Sequence, residues 1–228
     1  MRAPTFQHMP SSTLFWGVVA IVTAFVVVGF ASAHHMESAG HWVTGMNNRV
    51  VWGVPHVFAV FLIVSASGAL NAASLASVFG RETYKPLSRL SALMAITLLV
   101  GGLTVLVLDL GRPDRLIVAM THYNFRSIFA WNIFLYTGFI VVVVVYLWMM
   151  FEPRMNRFVG RLGTTAFAWR LILTTGTGSI FAFLAAREAF DSAVLAPMFI
   201  AMSLSFGTAL TLILRALILR LSGDGPPT

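Results

Sequence analysis

The sequence predicts an all-α integral membrane protein, one bundle of about six transmembrane helices with both termini in the cytoplasm. Three observations carry this. Of the 228 residues, 58% are hydrophobic and only 10% are charged, against roughly 25% charged in soluble domains. The mean hydropathy is +0.84, and the apolar residues gather in runs that reach the length of a bilayer span, about 20 residues. The basic residues fall mainly between those runs, more on one side than on the other. The net charge of +7 is then an orientation signal. The partner it implies is the lipid bilayer, not nucleic acid.

The first run, 12–33, follows Arg2 and ends in Ala31-Ser32-Ala33. That triplet resembles a signal-peptide cleavage site. The run is longer than the usual signal core and its basic leader is thin, so it reads as a retained helix. His34, His35, Glu37 and His41 follow it. Imidazoles at such spacing can bind a metal, but here they read as a solvated loop. The second run, 54–79, begins at Pro55 and His56 and carries Ser67, Asn71 and Ser74 on one face. That face suits hydrogen bonds between helices, or the lining of a proton path. The third run, 89–109, meets VLDLGRPDRL, in which Asp109, Arg112, Asp114 and Arg115 fall within seven residues. Pro113 favours a turn and a fresh helix start, so PDRLIVAMT at 113–121 predicts a short interfacial helix. Tyr123, Asn124 and Arg126 lead into the fourth run, 127–150. The fifth, 166–186, contains TTGTGS, which has glycines but no phosphate-binding lysine and suits close helix packing. Arg187, Glu188 and Asp191 join it to the sixth, 193–214.

With six spans, ten of the fifteen basic residues share the side of the N-terminus, Arg170 counted among them at the edge of the fifth run. Arg49, Arg112, Arg115, Arg126 and Arg187 face the other way. The excess marks the cytoplasmic side, so VLDLGRPDRL faces outward.

Four helix ends therefore bring ionisable groups to one outer level: His56, Asp109, Arg126 and the Arg187–Asp191 segment. For Asp109 and Arg112 two readings stay open. Their pairing locks a turn, or acid, base and cation converge on a small polar ligand head. Ionisable groups inside a membrane are costly and often mark proton or substrate paths. The chain has no cysteine, which removes disulfides, cysteine-ligated iron–sulfur clusters and thioether-linked haem. Its six histidines lie in tails, loops or at a helix end, so no b-type haem is expected within the bundle. No metal site is expected either.

An apolar helix ending in LDLGRPDR, then HYNFRS, then a helix entered through Ser127 and Trp131, resembles the NrfD/PsrC family of respiratory membrane subunits. Residues 40–74 resemble that family's preceding helix, and the likeness runs over about 40–214. Within the family the pattern is similar to DsrP-like members of the sulfur-oxidation machinery. The resemblance implies a quinone- or quinol-interacting subunit of a multi-subunit electron-transfer complex in the bacterial cytoplasmic (inner) membrane. Its cofactor would be menaquinone or ubiquinone. An iron–sulfur subunit would dock at the outer face, with molybdopterin or cytochrome c subunits beyond it. Carried onto this chain, the resemblance gives Asp109 and Arg112 catalytic roles and sets His56, Tyr123 and Arg126 at the quinone. Glu188 and Asp191 would then relay protons. Family members usually have eight or more spans, so the chain reads as short at its C-terminus. The rival readings are a structural anchor without quinone chemistry and a transporter subunit; the latter needs polar groups near the midplane and broken helices.

Overall fold

A computed structural model describes residues 12–47, 49, 50, 52–183 and 191–222. The chain is an all-α membrane protein, with no strand among the described residues. Within the described residues eight α-helices follow in order: α1 (Thr13–Ala39), α2 (Val54–Ala69), α3 (Asn71–Ser77), α4 (Ser88–Leu108), α5 (Leu116–Thr121), α6 (Ile128–Phe151), α7 (Val159–Ala182) and α8 (Leu195–Ser222). Among the described residues, five helical stretches are long and apolar enough to cross a membrane: α1, α2 with α3, α4, α6 and α8. The fifth expected span falls on α7, which is 24 residues long but carries Arg161, Arg170 and the threonine–glycine run. Residues 113–121 form the expected short helix, a 3-10 turn from Pro113 to Arg115 running into α5.

Local chemistry sets the ends. Gly53 caps α2, and Pro55 lies in its first turn, where the missing N–H costs nothing. Gly40 ends α1 at φ 94°, a backbone region that disfavours other residues. That places His34, His35 and Glu37 on α1 rather than in a loop, because helix continues until a glycine stops it. His41 opens the short 3-10 turn that follows.

α2 packs between α4 and α8, while α7 packs between α6 and α8. Ile63, Leu99, Phe139, Tyr146 and Leu173 fill the shared core. α2 and α3 form one span broken at Leu70. There α2 and α8 touch backbone to backbone: a Cβ on Gly207 would lie 2.0 Å from the Gly68 carbonyl carbon. α1 is different. Met36 is its single buried residue among the 27, and Trp16, Phe25 and Phe30 point outward, as suits a lipid-facing helix.

Candidate functional site

Asp109 caps the C-terminus of α4, and its backbone N–H donates to Val105 O at 3.1 Å. A carboxylate is poorly placed at its own helix C-terminus. It lies instead against the first turn of the antiparallel α2, where the dipole has the opposite sign. His56 stands in that turn, and its Nδ1 comes within 2.5 Å of Asp109 Oδ2. This is a close polar contact, and the other carboxylate oxygen, Asp109 Oδ1, has no hydrogen-bonding partner among the described residues. The Asp109 side chain is 1% exposed and the His56 side chain 27%. A buried carboxylate oxygen without a donor is costly, so Oδ1 asks for a further partner.

Gly102 makes this meeting possible. A Cβ there would sit 2.9 Å from Ile63 Cγ1 and 3.1 Å from Ala59 O. Without one, α4 closes onto α2. Because the helices are antiparallel, the eight residues from Gly102 to Asp109 run alongside the eight from Ile63 back to His56.

Asp109 lines a cavity of about 700 Å³. Val105 and Leu108 of α4 and Pro55 of α2 form one part of its wall. The end of α1 and the turn after it form the rest, including Val28, Ser32 and His35. The lining is mostly apolar, with Asp109 and His35 as its ionisable groups. Such a cleft, apolar with few polar groups, is the usual form of a small-molecule site.

The other expected residues lie elsewhere. Arg112 bonds Asp114 through two contacts of 3.1 Å, and both side chains are well exposed. The turn is therefore not locked by an Asp109–Arg112 pair, because Asp109 turns inward while Arg112 turns out. Tyr123 is exposed and stacks on Phe125. Arg126 is exposed, and its backbone N–H donates to Asn124 Oδ1 at 3.1 Å. Asp191 is exposed, and Glu188 lies outside the described residues.

Arg170 is not an edge charge. It is 3% exposed inside the bundle, where its guanidinium donates to Ser67 O at 3.1 Å and Asn71 Oδ1 at 2.5 Å. Asn71 in turn donates to Thr208 Oγ1 and Leu204 O on α8, and Thr174 Oγ1 donates to Ser67 Oγ. The polar face of the second span thus makes bonds between helices. It also satisfies groups that the break at Leu70 leaves free. His35, read as part of a solvated loop, is the cavity residue that sequence reasoning missed. The i, i+4, i+7 spacing of Val28, Ser32 and His35 would have aligned them, had the helix been carried past residue 33.

Residues 42–227 match the family described as polysulphide reductase, NrfD. The chain belongs to the NrfD family. Its likeness to the Hdr-like menaquinol oxidoreductase integral membrane subunit of Archaeoglobus fulgidus is 32% identity over 203 residues, 88% of this chain and 50% of that protein. It is 27% identical over 227 residues to a putative dimethyl sulfoxide reductase membrane subunit of Halobacterium salinarum, covering 90% of this chain and 52% of that one. A third relative is the menaquinone reductase integral membrane subunit of Nitratidesulfovibrio vulgaris, at 26% over 145 residues, 63% of this chain and 34% of that one. The chain thus spans about half the length of the first two relatives. In this NrfD-family chain the matched region begins after α1.

Proposed function

We propose that this chain is a quinone- or quinol-binding membrane subunit of a multi-subunit oxidoreductase. One observation carries the reading: the buried Asp109, backed by His56 at 2.5 Å, lines a largely apolar cavity of about 700 Å³ with its Oδ1 short of a donor. A quinone ring fits such a site, being flat and apolar with a polar oxygen at each end. The names of the Archaeoglobus and Nitratidesulfovibrio relatives, a menaquinol oxidoreductase and a menaquinone reductase subunit, agree with it. When bound, a quinol supplies two electrons and two protons, or a quinone accepts them.

The chain's own groups suit the proton half of that chemistry. Asp109 accepts a hydrogen bond from a ring hydroxyl and holds the proton released there. His56 Nδ1, facing Asp109 Oδ2, takes the proton on, and its partly exposed ring leads toward water. This pair takes over the relay role that the resemblance gave to Glu188 and Asp191. Electrons leave or enter through a separate redox subunit, an iron–sulfur protein in this reading. The exposed Arg112, Arg115, Tyr123 and Arg126 at the same end of the bundle form the surface it would meet. That end faces away from the cytoplasm, in a bacterial inner membrane. The packed break in the second span speaks against the transporter reading, because Gly68 and Gly207 close it.

The test is binding of an alkyl hydroxyquinoline N-oxide, a fluorescent quinol mimic, to the full chain in lipid nanodiscs. Asp109→Asn should weaken binding about tenfold, ~1.4 kcal/mol, with the melting temperature little changed. Saturable wild-type binding that Asp109→Asn and His56→Ala both leave intact would remove the site. No binding at all would favour the anchor.

A further inference from the structure

We propose that α1 supplies the second half of the ligand site, with His35 bonding the ring oxygen opposite the one that Asp109 receives. This rests on the quinone reading above.

The argument begins with what α1 does not do. A single residue of it is buried, so packing gives little reason for its end to lie where it does. Yet its last turns wall the cavity of about 700 Å³ that holds Asp109. Val28, Ser32 and His35 share one face there, and Gly29 and Ala31 keep that wall low. A Cβ added to Gly29 would meet nothing within 4 Å, so the space beside it is real. Ser32 Oγ is engaged, donating to Val28 O at 2.8 Å. The His35 ring makes no hydrogen bond among the described residues. It is the free polar group on the α1 wall, and the cavity's other ionisable lining group, Asp109, comes from α4.

The two oxygens of a para-quinone ring point in opposite directions. A site built only from Asp109, with His56 behind it, grips one of them. An imidazole on the other wall, able to donate or accept, grips the second and fixes the ring between α4 and α1. Because α1 packs so lightly, this bond also gives the helix a reason to stay closed when ligand is present. The assignment reaches beyond the matched region, since α1 precedes residue 42.

The experiment uses the full chain in nanodiscs, kept anaerobic, and two probes: a naphthalenediol with two opposed ring hydroxyls, and a naphthol that keeps one. Wild type should prefer the diol about tenfold, ~1.4 kcal/mol. His35→Ala should erase that preference and leave naphthol affinity unchanged. His35→Gln, which keeps a donor and an acceptor, should restore most of it. Asp109→Asn should weaken both probes. Because His35 is exposed, neither change at it should lower the melting temperature. If wild type binds neither probe, the quinone reading itself falls and this inference with it. If wild type binds the diol but shows no preference over the naphthol, or if His35→Ala keeps the preference, the quinone site stands and the role of α1 is overturned.

Discussion

Two adjacent glycines on α4 offer a matched pair of substitutions. A Cβ at Gly102 would lie 2.9 Å from Ile63 Cγ1, 3.1 Å from Ala59 O and 3.1 Å from Leu62 Cβ. Carbon atoms prefer about 3.5–4.0 Å, so Gly102→Ala must push α4 off α2 by about 0.5–1 Å. Ala59 O is backbone and cannot swing aside. At Gly101 the nearest atom to an added Cβ is Leu62 Cδ1, at 3.9 Å, an ordinary contact. Alanine is also the better helix former, by about 0.8–1.0 kcal/mol.

The consequences differ accordingly. Gly101→Ala should leave the melting temperature unchanged or raise it. Gly102→Ala should cost about 1–3 kcal/mol through overpacking. Asp109 lies seven residues on, about 10 Å along the helix. The same retreat should therefore widen the 2.5 Å approach of His56 to Asp109 and weaken quinone-analogue binding about tenfold, ~1.4 kcal/mol. The assay pairs a thermal melt with a binding titration on the purified chain in nanodiscs. Equal behaviour of the two variants would show that the α2–α4 approach at Gly102 neither limits stability nor sets the site.

Two further outcomes follow from the structure. Arg170→Met should lower stability by about 1–3 kcal/mol, because Ser67 O and Asn71 Oδ1 are left without their donor; a melt matching wild type would mean that the guanidinium does not hold the broken span. Cysteines placed at Thr83 and Thr121 should label from opposite sides with an impermeant thiol reagent, Thr121 from outside; labelling of Thr83 alone from outside would reverse the proposed orientation.

Helix positions were legible because long apolar runs leave little choice of structure. The third and fourth runs, expected at 89–109 and 127–150, are found at Ser88–Leu108 and Ile128–Phe151. The end of α1 was not, because polar residues there look like a loop while only Gly40 stops the helix. Arg170 was misplaced for a related reason. Counting charges by side assumes that a basic residue seeks the membrane edge. A guanidinium given a carbonyl and an amide oxygen in the interior has no need to. Removing Arg170 from the count leaves nine basic residues on the N-terminal side against five, so the orientation argument keeps its sign. The pairing of His56 with Asp109 joins residues 53 positions apart. Nothing in local spacing announces it, although both were singled out as groups at the same membrane level.

The charges of VLDLGRPDRL divide by direction rather than by sign. Asp109 turns into the bundle, with 1% of its side chain exposed, whereas Arg112 and Asp114 expose 65% and 59% and bond each other. A mutually satisfied surface pair gains little from its contact and remains accessible to water and to a docking protein. A buried carboxylate with an imidazole on one oxygen still has the other, Oδ1, open to a donor. In the proposed reading, one short loop after α4 does two jobs that a quinone-linked subunit needs at the same membrane level. It holds a proton acceptor at the apolar cavity and presents a polar surface a few residues later, where a redox partner can approach. That proximity matters because electrons and protons leave a quinol at the same place but travel to different destinations. The chain has no cysteine to ligate a cluster of its own, so in this reading the electron acceptor must come to the ligand, and the exposed half of the loop is where it would do so.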